Sequence, residues 1–282
     1  MTMRRHPLIP SAGGITQQQW SPYPVRSVLG LIALIVLAGG IVLQFLTILS
    51  GVSTSTPLQH VYFLESTTNG ISGGSGMVRN PSRWTFFAIC GAENGNNANC
   101  GNVVPALPFD PPRNFGTENN VPETFIGTKK FFYLSRFMFA FYLVALFFAV
   151  IAFFTSVLAI CTRLGAYLTG LNTAIAFFFQ TLTAALMTAW TVIGRNNFRA
   201  AGQDAHLGTY AFGFTWAAMA CFLISTVLFC VGGSVGKDES RNTKSSYFGR
   251  KRSTRSRGSF IDNESQRRVK DEYVMSKHSL RS

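Results

Sequence analysis

Four long stretches of this chain carry no formal charge. No Lys, Arg, Asp or Glu occurs in residues 27–60, 137–162, 164–194 or 205–236. Each stretch holds an apolar run long enough to cross about 30 Å of hydrocarbon at about 1.5 Å per residue. The expected spans are 28–49, 137–161, 168–193 and 210–231. Backbone in lipid must satisfy its own hydrogen bonds, so each span is expected to be a helix. Barrel strands would be shorter and would alternate apolar with polar, and these runs do not. The first run is too long for a signal-peptide core, so an uncleaved anchor is expected.

Charge distribution sets the expected topology. Four spans put residues 1–27 and 232–282 on one side. With the termini in the cytosol, the inner segments carry 17 Lys and Arg and the outer segments 8. The positive-inside rule then favours cytosolic termini. The segment 50–136 becomes a long outer loop, 162–167 a tight inner turn, and 194–209 a short outer loop. Lys129, Lys130 and Arg136 run against the rule, crowding the outer mouth of the second span. The formal net charge of +13 comes largely from the tail, where residues 237–282 hold 13 basic against 6 acidic residues. It therefore does not point to nucleic acid. The tail is Ser-, Arg- and Lys-rich with few aliphatic residues, and is expected to be disordered.

The long loop contains "RWTFFAICGAENGNNANC", residues 83–100. In an oxidising compartment, Cys90 and Cys100 read as a disulfide. Free thiols and a metal pair are the alternatives, although no His lies within the segment to complete a metal site. Asn94-Gly95 between them is a strong hairpin signal. "RWTFFAIC" is strand-like, with Trp84, Phe86, Ala88 and Cys90 on one face at a period of two. "NCGNVV" is the expected return strand. Closing so small a loop would stabilise by roughly 3 kcal/mol in the chain-entropy model. The expected fold is thus an all-α four-helix membrane bundle with a small disulfide-clamped β-hairpin or β-sheet domain in its first outer loop. No N-glycosylation is expected there, because Asn80 is followed by Pro and the other sequon, at Asn263, lies in the tail.

Chemistry is sparse. No span has an ionisable residue at mid-depth, which argues against an ion or proton pathway. Gln44, Asn172 and Gln180 are the strongly polar residues there and are expected to bond between helices. His6, His60, His206 and His278 lack metal-ligand spacing. There is no phosphate loop and no nucleophile elbow, so a non-enzymatic protein without cofactors is expected. Small residues recur at Ala145, Ala149, Ala152 and Ser156, at Thr181, Ala185 and Ala189, and at Ala217, Cys221 and Ser225. Such stripes let helices approach, within one bundle or between copies in a homo-oligomer. Cys161 and Cys230, at the inner span ends, are candidate palmitoylation sites. Cys221 is mid-span and reads as packing. Phe131, Phe132, Tyr133 and Phe137 read as an interfacial aromatic belt.

In the tail, Arg250, Lys251, Arg252, Arg255 and Arg257 alternate with Ser253, Thr254, Ser256 and Ser259. Basic residues near an anionic leaflet attract it by about 1 kcal/mol each. The reading is an inner-leaflet anchor that phosphorylation of those hydroxyls would release. A solvated tail that merely fixes topology is the alternative.

Trp84, the cysteine pair and the following "PALPFDP" resemble the fungal Sur-seven/PalI family of four-span plasma-membrane proteins. The motif residues are Pro105, Pro108, Phe109, Asp110 and Pro111. The order of span, long loop, three close spans and polar tail is similar too. The Trp–Cys–Cys pattern is claudin-like in architecture, although "TFFAI" does not reproduce the claudin motif. The resemblance implies a component of eisosome-associated plasma-membrane domains, with roles in cortical organisation, cell-wall integrity and endocytosis. Its PalI branch implies a part in ambient-pH or wall-stress signalling instead; a transporter or channel is a third reading. Expected partners are anionic inner-leaflet lipid, sterol or sphingolipid, and cortical scaffold proteins.

Overall fold

The computed structural model describes residues 22–72, 74 and 78–234. Four helices are long and apolar enough to cross a membrane. They are α1 (Pro22–Ile48), α3 (Lys130–Cys161), α4 (Arg163–Ala200) and α5 (Thr209–Ser234), with a short α2 (Pro111–Phe115) in the loop after α1. Their outward faces carry large apolar side chains, among them Ile35, Phe147, Phe154, Leu171 and Phe178. A water-soluble bundle would bury these; hydrocarbon has no such requirement.

The helices run past the expected spans. Runs of apolar residues end at the first charge, whereas helical hydrogen bonding continues through it. At 38 residues, α4 is about 57 Å long, nearly twice the hydrocarbon thickness. The 32 residues of α3 reach about 48 Å. The expected turn over 162–167 shrinks to Thr162, the only residue between α3 and α4. Its extended backbone breaks the helix, and its side chain caps α4 by accepting from the Gly165 N–H. Since α3 and α4 are joined so tightly, their excess length emerges at the opposite end. There the start of α3 and the end of α4 form a post.

On that post sits a five-stranded antiparallel sheet, β1 (Leu64–Ser66), β2 (Ser82–Trp84), β3 (Ile89–Glu93), β4 (Asn96–Ala98) and β5 (Ala205–Leu207), in the order β4-β3-β2-β1-β5. Two expectations are corrected here. "RWTFFAIC" is not one strand but two, because the chain reverses between Thr85 and Ala88 and pairs Trp84 with Ile89. The Thr85 hydroxyl donates to the Ala88 carbonyl and accepts from the Ala88 N–H, closing the turn without Gly or Pro. The return strand is Asn96–Ala98, ahead of "NCGNVV". The Asn94-Gly95 turn forms as expected, with φ of 49° and 80°.

β5 comes from the short loop between α4 and α5 and pairs with β1, Leu64 opposite Leu207 and Ser66 opposite Ala205. Both loops therefore fold into one sheet. The chain leaves β5 through Gly208, whose N–H donates to the Phe63 carbonyl. A Cβ at Gly208 would lie 1.6 Å from the Tyr62 carbonyl oxygen.

Within the bundle, buried small residues match the expected stripe only on α3, where Ala145, Ala149, Ala152 and Ser156 are all inaccessible. On α4, Thr181 and Ala185 are exposed, and the buried line is Ala176, Gln180, Ala184 and Met187. On α5, Ala217 is exposed, and Ala211, Thr215, Ala218, Phe222 and Ser225 face inward. Spacing alone finds a stripe but does not orient it.

We expect Gly208→Ala to open the β1–β5 pairing, since the added methyl has to displace backbone. Thermal unfolding in detergent should fall by several degrees, while Gly213→Ala on α5, where a Cβ would meet nothing within 4 Å, should lower it less.

Candidate functional site

The described residues hold no cluster of His, Cys, Asp and Glu able to bind a metal. The residues singled out by the sequence gather instead where the sheet meets the post. Trp84 ends β2 and is 2% exposed. Its ring packs edge-on against Phe109 at 5.1 Å and lies 5.6 Å from Phe198 on α4. Phe109 in turn contacts Trp190 of α4 at 4.7 Å and Phe131 of α3 at 5.7 Å. Rings from the sheet, the loop and both post helices thus share one core. Aromatic pairs of this kind contribute about 0.5–1.5 kcal/mol beyond their buried area.

Polar bonds fix the arrangement. The indole N–H of Trp84 donates to Asn114 Oδ1 at 3.2 Å, which also accepts from the Asp110 N–H at 3.1 Å. Asn114 Nδ2 donates to the Pro108 carbonyl at 3.2 Å. The Phe109 N–H donates to Ser135 Oγ on α3 at 2.9 Å. Pro111 occupies the first turn of α2, where a missing N–H costs nothing. Pro108, Phe109, Asp110 and Pro111 therefore serve one purpose: they deliver Phe109 and Asn114 to Trp84. Pro105 does not join them and is exposed. Burial pushes the Asp110 carboxyl above its usual range, against the opposing pull of Arg113. Asn114 carries no sequence signal of its own; a lone amide three residues into a short helix resembles any turn asparagine.

The hairpin beside this core has two locks. Cys90 and Cys100 form a disulfide, and Cys90 is fully buried. Arg83, 5% exposed, forms the second. It pairs with Glu65 on the neighbouring strand at 2.5 Å and donates to the Gly95 carbonyl of the Asn-Gly turn at 3.0 Å. Its guanidinium also lies 4.3 Å from the Tyr62 ring. Asn97 accepts from Arg83 and donates to the Val61 carbonyl. The Tyr62 hydroxyl is raised above its usual pKa by burial first and by Glu65 second, with Arg83 opposing. A paired and hydrogen-bonded buried arginine costs much to orphan.

Below the sheet, one polar chain links all four spanning helices. Gln44 on α1 donates to Gln180 on α4 at 2.6 Å, and Gln180 donates to the Thr215 carbonyl on α5 at 3.1 Å. Tyr142 on α3 bonds the Thr215 hydroxyl at 2.5 Å. Gln44, Tyr142, Gln180 and Thr215 are all inaccessible. Gln44 and Gln180 thus meet the expectation of bonding between helices. Asn172 does not: it bonds the Leu168 carbonyl of its own helix.

Of the remaining expected sites, Cys230 is exposed near the end of α5, and the Cys161 side chain lies outside the described residues. So do Arg250, Lys251, Arg252, Arg255 and Arg257, with Ser253, Thr254, Ser256 and Ser259. In the aromatic belt, Tyr133 and Phe137 are exposed as expected, but Phe131 turns inward and is 4% exposed.

The chain matches the SUR7/PalI family over residues 29–228. It is similar to the protein SUR7 of Candida albicans, 36% identical over 70% of this chain and 71% of the relative. The SUR7 protein of Saccharomyces cerevisiae is 32% identical over 71% of this chain and 66% of the relative. The plasma membrane protein YNL194C of the same yeast is 32% identical over 70% of this chain and 65% of the relative. The match begins within α1, takes in the sheet, α3 and α4, and ends within α5, before the tail.

Asn114→Ala should strand the buried Trp84 N–H and the Asp110 N–H, at about 1–3 kcal/mol for each unsatisfied group. Unfolding in detergent should fall by at least as much as in Trp84→Phe, which removes the donor together with part of the ring.

Proposed function

The chain belongs to the SUR7/PalI family of membrane proteins, and on that premise we propose that it is a non-enzymatic organiser of a plasma-membrane domain of the eisosome type. The observation that carries this reading is the match to the SUR7/PalI family over residues 29–228, together with a SUR7 protein 36% identical over 70% of this chain. A relative's description as a plasma membrane protein supports the same location. The proposal includes links to cell-wall integrity and endocytosis. It favours the SUR7 branch over a PalI-like signalling role because the relatives described above include two SUR7 proteins, at 36% and 32% identity.

Both termini are proposed to be cytosolic, with the sheet facing out. Two independent features support this orientation. The basic count of 17 against 8 favours inner termini. The Cys90–Cys100 disulfide lies at the sheet end, and such bonds persist in oxidising compartments. In this reading the bundle packs laterally in a sterol- or sphingolipid-rich domain, the rigid sheet faces the wall, and the basic tail holds anionic inner-leaflet lipid or a cortical scaffold. Phosphorylation at Ser253, Thr254, Ser256 or Ser259 would weaken that hold, and acylation of Cys161 or Cys230 would strengthen it.

A fluorescently tagged chain should form immobile cortical patches that recover slowly after bleaching. Uniform peripheral signal with rapid recovery would contradict the organiser role.

A further inference from the structure

At the sheet end of α3, Arg113 and Arg136 meet at one ring, with Lys129 and Lys130 at the start of the same helix. Lys129 and Lys130 begin the helix, and both are exposed. Arg136 lies further along it, and its guanidinium sits 5.2 Å from the Phe132 ring. Arg113 comes from α2, a separate element, and its guanidinium sits 5.5 Å from the same ring. The convergence is therefore tertiary rather than a run in the sequence. Basic residues at a helix start oppose the helix dipole, and α3 has no acidic residue in its first turn to offset them. Topology gives no reason for them either, since the positive-inside rule disfavours this cluster on the outer side.

Neighbouring acids do not neutralise the cluster. Asp110 and Glu118 share an open groove with Arg113 and Lys129. Yet among the described residues the only ion pair within 4.0 Å is Arg83–Glu65. Arg113, although it feels the nearby Asp110 carboxyl, joins Lys129, Lys130 and Arg136 in closing no ion pair among the described residues. Directly beside them the surface turns apolar. Tyr133 is 51% exposed and Phe137 56% exposed on α3. Cations interleaved with exposed aromatics match an anionic lipid, whose phosphate takes the charge and whose acyl chains take the rings. A free anion would use only the charged part of this surface.

We propose that Arg113 and Arg136, flanking Phe132 and assisted by Lys129 and Lys130, bind the phosphodiester headgroup of an anionic lipid in the leaflet on the sheet side. The site is separate from the tail and acts on the opposite leaflet. It requires only that α3 spans the membrane, and does not depend on the eisosome reading. By tying α2 to α3 through a shared lipid, it couples the loop that carries Phe109 to the surrounding bilayer. Guanidinium suits this task because it stacks on a ring while its N–H groups still point at phosphate.

The test titrates the full chain in neutral maltoside micelles with phosphatidylinositol or phosphatidylcholine, reading bound lipid by native mass spectrometry. Every sample carries R250Q, K251Q, R252Q, R255Q and R257Q, so that the basic cluster of the tail contributes no attraction and the remaining tail charge is the same in all samples. Phosphatidylinositol should be retained over phosphatidylcholine. At about fivefold for each cation removed, R113Q/R136Q should weaken its retention at least twentyfold. Arg195→Gln, on α4, should leave it unchanged. If R113Q/R136Q does not fold, K129Q/K130Q, which alters only exposed residues, carries the same expectation. Equal retention of the two lipids, undiminished binding in the double variant, or displacement of the lipid by inorganic phosphate at matched concentration would overturn the proposal.

Discussion

The ring of Phe109 holds the sheet end together. It touches Trp84 from the sheet, Phe131 from α3, and Trp190 and Phe198 from α4. No strand of this sheet exceeds five residues, and strands so short do not stand alone in water. They persist because α3 and α4 extend past the hydrocarbon and offer aromatic side chains at the right height. The loop motif around Phe109 bridges the two. Asn114 completes the join by satisfying the Trp84 indole N–H and holding the Pro108 carbonyl. The disulfide and Arg83 then keep the β3–β4 hairpin from fraying, one by covalent closure and one by gripping the turn carbonyl.

A second requirement operates inside the bundle. Apolar side chains gain little from meeting one another in lipid, so packing and polar contacts must orient the helices. The Gln44–Gln180–Thr215–Tyr142 chain reaches every spanning helix and sets their mutual register. Below it, small groups allow close approach, with Ala33, Ala149, Ala152 and Ala176 packed around Leu37, Phe222 and Phe229. Gln44 Oε1 accepts no hydrogen bond from the protein. That unused acceptor makes the network a local weak point as well as a locating device.

Much of this was legible in the sequence, for identifiable reasons. The spans announce themselves through absent charge, because a lone charge in hydrocarbon is costly. The Asn94-Gly95 turn is legible because both residues take positive φ. Trp84 and "PFDP" are legible through family resemblance, and the structure supplies their physical connection. What was hidden depends on tertiary context. The reversal at Thr85–Ala88 relies on a threonine side chain inside an aromatic run that otherwise reads as strand. β5 is three residues in a short loop and forms only because β1 is already positioned on the post. Asn114 and Arg83 look like ordinary surface residues until their partners arrive. Stripe orientation on α4 and α5 was illegible because small residues occur on both faces of those helices.

The central claim is that two loops distant in sequence fold as one unit on the α3–α4 post. Hydrogen exchange of the purified protein in lipid nanodiscs tests it most directly. The amides paired between Leu64–Ser66 and Ala205–Leu207 should be protected together and exchange with a common opening free energy. Substituting Trp84 should lower that energy for both segments equally. Exchange of 205–207 at the rate of an unstructured loop, with 64–66 still protected, would contradict the account.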